Sequence, residues 1–391
     1  MARPTVVATL CSPSDVLRAL ELTPPDLMLM LWGPPGVGKS DIMRQFAERH
    51  GYRFVKLPLA SMEASDLIGL PDLTHGLTTF APPSLLWELT AAAETERRRA
   101  FDEAKAAGEL ASDAEFQPTR ALLCLDEIPQ MSVQLMHGVA ALILDRTIGF
   151  GGLRLAAGVR LVGAGNREQD GAFANTLGTH FRSRIIHLEM GSTLPDWRNY
   201  ARGVGIAPEI IAFLGSRPRY LHDFDPRSSD RTFAAPRTWE FASRILHSVR
   251  AAGGEDQQTL KVLLEGTVGP AAAAEFLAFL ESAAKCPSAE EVVADPERAP
   301  TFRERPDMAL VVVENLVMAC RTDPVFVDGT LQYLKRLPSE YQSIASMALL
   351  VEDGPAEMKR AVLASPHFSV IRREAARADQ VLMRFDKAVN A

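Results

Sequence analysis

The sequence predicts an α/β fold over its first half, a parallel sheet wrapped by crossover helices, followed by an all-helical remainder. Three observations carry that prediction. An apolar run, Leu27 to Trp32, leads into Gly33-Pro34-Pro35-Gly36-Val37-Gly38-Lys39-Ser40, the spacing G-x-x-x-x-G-K-[ST]. Two further apolar runs end on polar residues, Ala121 to Leu125 on Asp126-Glu127 and Val159 to Ala164 on Gly165-Asn166. Beyond Pro195 the strand signals stop, and apolar residues recur at helical spacing.

The first of these motifs is a P-loop. An anionic triphosphate needs converging backbone N–H groups that no Cβ obstructs, together with a helix N-terminus and a cation. Gly33, Gly36 and Gly38 let the loop fold back, and Pro34, Pro35 and Val37 complete the cradle. Lys39 is placed to reach the β/γ-phosphates and the Ser40 hydroxyl to hold Mg2+. Asp41 to Ala47 follows with helical periodicity, supplying the helix that the motif requires. The expected ligands are ATP and Mg2+.

Each element can be justified in turn. Thr5 to Leu22 offers an apolar stretch and then Ser12-Pro13-Ser14-Asp15, an N-cap signal, and is expected to flank the nucleotide base. Gly51 stops the P-loop helix, and Arg53 to Leu57 reads as the next parallel strand. From Ala60 to Trp87 the alternation breaks into an insertion with a hairpin about Asp72 to Gly76. Glu88 to Phe116, rich in Ala, Glu and Arg, reads as an exposed helix ending near Gly108, with Arg97-Arg98-Arg99 either on a solvated face, the favoured reading, or facing a partner or anionic ligand. The next strand delivers two carboxylates: Asp126 to hold Mg2+ and Glu127 to polarise an attacking water.

Gln134 to Leu144 is apolar at helical spacing, and Asp145 to Leu155 reads as a hairpin with its tip at Gly151-Gly152. Phe150 there either touches a client or packs under the hairpin. Asn166 stands at the carboxyl end of a sheet strand, where ligands bind in open α/β sheets, and can position water or sense the γ-phosphate. Thr179 to Leu188 ends a helix and enters a fifth strand. Arg182 and Arg184 at that corner are either a surface pair or fingers toward a neighbouring subunit's γ-phosphate. Arg237 falls in the first turn of a helix starting near Pro236; a cation set against the helix dipole points to a ligand role. Helices are expected over residues 260–265, 271–285, 308–321, 343–351 and 356–364, with no catalytic cluster among them.

Composition narrows the partners. With 391 residues, 47% hydrophobic and 23% charged, the chain is an ordinary globular one with room for two or three domains. Its net charge of -7 disfavours nucleic acid as a non-specific partner. Cys11, Cys124, Cys286 and Cys320 are scattered, as expected of reduced thiols in a cytoplasmic protein, and no run has the length of a membrane span.

In this order the P-loop, the Leu122-to-Glu127 strand and the Asn166 strand resemble those of AAA+ ATPases. The details are similar to the MoxR family of the helix-2-insert clade: LWGPPGVGKS, the Asp66-to-Pro71 stretch before an insert, CLDEI, LILDR, AGNRE, FRSRI and APRTWE. The resemblance covers roughly residues 25–250. It implies that Asp126 is the Mg2+ carboxylate, Glu127 the catalytic base, Asn166 the first sensor and Arg237 the second. The trans finger would be Arg184, with Arg182 as the alternative; the chain has Arg184-Ile185 where the family usually has Arg-Phe.

The resemblance further implies a homo-oligomeric ring, usually a hexamer, remodelling a protein client in chaperone fashion beside a von Willebrand factor A domain partner. The competing reading is a nucleic-acid-directed motor or defence ATPase. The expected layout is a P-loop core over 1–190 with hairpin inserts near 61–87 and 147–158, a helical lid over 191–252 and a helical C-terminal region over 253–391.

Overall fold

A computed structural model describes residues 10–74, 78–111, 113–149, 152–170, 182–253 and 256–372. The chain divides into two compact units. One runs through Gly191 and includes Asp225–Arg227; the other comprises Ser192–Phe224 and the chain from Ser228 onward.

The first unit is built on strands β1 (Leu10–Cys11), β2 (Met28–Trp32), β3 (Arg53–Pro58), β4 (Leu70–Asp72), β5 (Thr79–Ala81), β6 (Ala121–Asp126), β7 (Thr147–Ile148), β8 (Leu153–Arg154), β9 (Val159–Gly165) and β10 (Ile185–Met190). Six of them form one sheet in the order β1-β10-β2-β9-β6-β3, every pairing parallel. Both faces of such a sheet are covered, so its central strands read as unbroken apolar runs. Period-2 alternation then splits each run between two cores. Met28, Met30, Leu123 and Leu125 pack on one face, while Leu29, Leu31, Leu122 and Cys124 pack on the other with Ile42, Met43 and Phe46 of the P-loop helix.

One buried charge interrupts the pattern. Arg160, on β9, donates to the carbonyls of Leu20 (2.8 Å) and Thr23 (2.9 Å), satisfying the end of the helix Pro13–Leu22, and lies over the ring of Phe46. A cation there complements the helix dipole. At its other end that helix begins with a reciprocal Ser12–Asp15 capping box, as the local sequence led one to expect.

Several boundaries differ from the sequence reading. The long helix is Ala91–Ala106: it begins three residues after the expected Glu88 and ends, as expected, near Gly108. Thr90 caps it by accepting from the Ala93 N–H, and Gly108 takes a left-handed φ of 75° just past its end. The inserted hairpins are β4 against β5 and β7 against β8. His75 and Gly76 of the first, and Phe150 and Gly151 of the second, lie outside the described residues, as does the helix expected from Thr179 to Phe181.

The second unit is helical, and one apolar core runs from Trp197 through Trp239 and Phe276 to Ile371. Phe213 is ringed by Tyr220, Trp239, Phe276 and Phe279, and the Trp239 indole N–H donates to the Tyr220 carbonyl at 2.6 Å. The helices Ala289–Ala294 and Val327–Leu334 lie outside the stretches expected to be helical. Where a single helix was expected over 343–351, an α-helix Ser339–Ser346 passes into a π-helical turn, Met347–Val351. That turn delivers Glu352, whose Oε1 accepts from Arg202 Nη1 at 2.5 Å.

Arg202 also makes a two-pronged bond to Glu314, at 2.9 and 2.8 Å, with both side chains essentially removed from solvent. Burial opposes its charge, but Glu314 and Glu352 outweigh burial and hold the guanidinium above its ordinary pKa. Removing one member of such a pair strands the other. Glu314→Ala should therefore cost about 3–5 kcal/mol of stability, read as a lowered denaturant midpoint, and a change below about 1 kcal/mol would show that the pair is not what holds these helices together.

Candidate functional site

The P-loop sits at the carboxyl edge of the parallel sheet. β2 ends at Trp32, and the Gly33 N–H donates to the Gly165 carbonyl at 3.3 Å. A Cβ on Gly33 would lie 2.5 Å from the Met190 carbonyl oxygen, so no larger residue fits that turn. Gly36 (φ 76°) and Gly38 (φ 97°) adopt the left-handed conformation that glycine alone takes without penalty. Gly38 then opens the helix Lys39–Arg49 with no side chain capping its first amides. Those amides point where an anion binds.

Asn166, Asp126 and Glu127 meet the loop's own Lys39 and Ser40. The Lys39 ammonium, only 9% exposed, donates to the carbonyls of Gly33 (2.8 Å) and Pro34 (3.0 Å) and to Asn166 Oδ1 (2.8 Å). Ser40 Oγ donates to Asp126 Oδ2 at 3.1 Å. Asp126 is buried at the end of β6, and its Oδ1 accepts from the Glu127 N–H at 3.0 Å. Glu127 is exposed, in a left-handed conformation with φ 57° and ψ 35°. A non-glycine residue in that region is uncommon and costs energy, a pattern that clusters at functional sites.

A hydroxyl and a carboxylate side by side make a hard oxygen donor set that fits Mg2+, an ion that takes few protein ligands and completes its shell with phosphate and water. Among the described residues no group of three or more His, Cys, Asp or Glu is placed to hold a metal by itself.

Sequence reasoning missed the residues that brace this edge. Lys56, on β3, forms an ion pair with Asp126. Its only trace in the sequence is a cation between the apolar residues Val55 and Leu57. Arg167, directly after Asn166, is clamped between Asp170 (2.8 Å) and Glu189 of β10 (2.5 Å). The hydrogen bond to Asp170 leads in raising the Arg167 pKa, against burial and with help from Glu189. The Trp32 indole donates to His187 Nδ1 at 3.0 Å.

Arg182 and Arg184 are both exposed, immediately before β10. Arg237 is exposed in the first turn of the helix Pro236–Ala251, within the second unit. Asn166, Lys39, Ser40, Asp126 and Glu127 thus share one edge of the first unit, flanked in sequence by Gly33 to Gly38.

A left-handed glycine loop before a helix, a buried lysine and a strand-end carboxylate define a P-loop nucleotide-binding domain. Residues 28–185 match the family model described as the AAA domain, dynein-related subfamily, and the first unit is accordingly an AAA+ domain. Comparison with curated proteins gives no significant match.

Among solved structures, a mutant of Thermotoga maritima RuvB is 15% identical, covering 76% of this chain and 85% of that one, with a TM-score of 0.35. Brucella abortus NtrX in complex with ADP is 15% identical, covering 100% of this chain and 70% of that one, at a TM-score of 0.37. NtrX in complex with ATP is 14% identical over the same shares at 0.38. These superpositions are loose, and the strand order speaks for the fold by itself.

The clamp on Arg167 makes a prediction. Glu189→Gln keeps the shape of the side chain but removes its charge, loosening the residue next to Asn166. If the site turns over a nucleotide, the rate should fall about tenfold, because catalytic groups tolerate little misplacement, with nucleotide affinity changed less than about twofold. An unchanged rate in a phosphate-release assay would show that the clamp does not serve Asn166.

Proposed function

We propose that the protein hydrolyses ATP as an AAA+ remodelling subunit of the MoxR type, acting as a ring on a protein client. The observation that carries the proposal is the convergence of Lys39, Ser40, Asp126, Glu127 and Asn166 on one edge of the sheet. In this reading the loop amides and Lys39 bind the β/γ-phosphates, trading carbonyl contacts for phosphate oxygens. Ser40 and Asp126 would hold Mg2+, which supplies charge neutralisation at the β/γ-phosphate oxygens when bound.

Glu127 accepts a proton from water aligned with the γ-phosphate, which its exposed position permits. Asn166, bonded to Lys39, sits where it can orient that water or register loss of the γ-phosphate. Arg184, or Arg182, reaches the γ-phosphate of the neighbouring subunit; the exposure of both side chains supports that role. Residues 191–252 serve as a helical lid carrying Arg237, and residues 253–391, with the inserts near 61–87 and 147–158, face client or partner. A von Willebrand factor A domain protein is the partner class favoured by the family likeness. Net charge of -7 favours a protein client over nucleic acid.

Glu127→Gln tests the chemistry and the assembly together. Loss of the base should lower phosphate release by about 10²–10⁴-fold while ATP still binds, since the Mg2+ carboxylate is kept. In the same variant, ATP with Mg2+ should shift the particle mass to a closed oligomer. A monomer from nanomolar to micromolar protein would overturn the ring, and undiminished turnover would remove Glu127 as the base.

A further inference from the structure

His187 lies on the same face of β10 as Glu189 and touches two elements at once. Its Nδ1 accepts from the indole N–H of Trp32 at 3.0 Å, the two rings stacked with centroids 6.0 Å apart and planes 24° from parallel. Its Nε2 is 3.3 Å from the carbonyl oxygen of Arg182. An indole N–H can only donate and a carbonyl can only accept, so the ring must accept at Nδ1 and donate from Nε2. Both nitrogens are engaged, in opposite senses. A residue needed only for packing would have no use for that polarity, and an apolar ring would fill the place.

The two partners lie at meaningful points. Trp32 is the last residue of β2, and its successor Gly33 opens the P-loop and is bonded to Gly165, the residue before Asn166. Arg182 stands two residues before Arg184 in the exposed segment that enters β10. We propose that His187 is a positioning residue that ties the arginine-bearing segment to the P-loop strand, so that the stance of the arginines follows the state of the nucleotide loop. The inference rests on the reading that one of these arginines acts on a neighbouring subunit's γ-phosphate.

The geometry sets what substitutions should do. Phenylalanine at 187 keeps a ring and loses both hydrogen bonds; glutamine keeps one donor and one acceptor. Trp32→Phe removes the indole donor alone.

The test uses the full chain at concentrations where the wild type turns over ATP steadily. It measures kcat, the Kd for a fluorescent ATP analogue, and tryptophan emission, for His187→Phe, His187→Gln, Trp32→Phe, Arg182→Ala and Arg184→Ala. His187→Phe is expected to lower kcat about tenfold, as small misplacements of catalytic groups do, with the Kd within about twofold. His187→Gln should recover at least about half of the lost rate, which a purely space-filling role would not produce. Combining His187→Phe with the more damaging arginine variant should add little further loss, because both act at one step.

Trp32→Phe, which spares the histidine, should lower kcat in the same sense, and it replaces His187→Phe if that variant does not fold. A normal rate in His187→Phe, or in Trp32→Phe where it stands in, while an arginine variant is slow, overturns the inference alone. So does equal loss in His187→Phe and His187→Gln, or a loss fully multiplicative with that of the arginine. Normal rates in both arginine variants overturn the arginine reading and the inference with it.

Discussion

The first unit is organised around one buried ammonium. Lys39 is held with little exposure between the Gly33 and Pro34 carbonyls and Asn166. A charge removed from water is costly unless it is closely coordinated, and that requirement couples three separate stretches of chain. The loop must fold back so that its carbonyls face the helix that follows, which is why Gly36 and Gly38 take positive φ. β9 must end beside β2, so that Asn166 arrives within reach. The Gly33 and Pro34 carbonyls and the Asn166 amide oxygen orient the ammonium without themselves carrying full negative charge.

The carboxylates illustrate the opposite treatment. Asp126 already has Lys56 as an ion-pair partner and Ser40 as a donor, so its charge is balanced within the fold. The second unit handles its buried charges the same way, with Arg202 matched by Glu314 and Glu352. Buried ion pairs contribute less to net stability than their short distances suggest, because desolvation offsets much of the attraction. What they enforce is register. Glu352 meets Arg202 directly after the chain widens into a π-turn at Met347–Val351, an irregularity that in other helices often marks functional sites.

What was legible in the sequence follows from this division. The P-loop, the Asp126-Glu127 pair and Asn166 are written locally, since the chemistry fixes residue types at short, contiguous spacing. The parallel sheet was legible because strands covered on both faces are apolar throughout. The braces were not. Trp32 and His187 are 155 residues apart, and Arg167 and Glu189 are 22 apart. They meet because the sheet order β1-β10-β2-β9-β6-β3 sets β10 beside β2, with β9 on the other side of β2. Strand order is a tertiary property, and no window of residues contains it. Lys56 was missed for the same reason, as β3 reaches β6 only across the sheet edge. Helix ends were misjudged where a polar side chain decided them, as Thr90 does for the helix Ala91–Ala106.

The posture of Glu127 shows why two adjacent carboxylates can serve different ends. Successive side chains of a strand point to opposite faces. Along β6, Cys124 and Asp126 face the P-loop helix, where Cys124 meets Met43 and Asp126 meets Ser40. A continued strand would turn Glu127 into the opposite core, beside Leu125 and Ile128, where a carboxylate has no partner. Instead the backbone flips to the left-handed region at Glu127, at a cost of about 1–3 kcal/mol for a residue other than glycine. Two bonds hold it there: its N–H donates to Asp126 Oδ1, and its carbonyl accepts from the Gln130 N–H at 2.8 Å. Glycine would relieve the strain but would bring no carboxylate. The fold thus accepts a local penalty to keep one acid buried against the P-loop and its neighbour exposed to water.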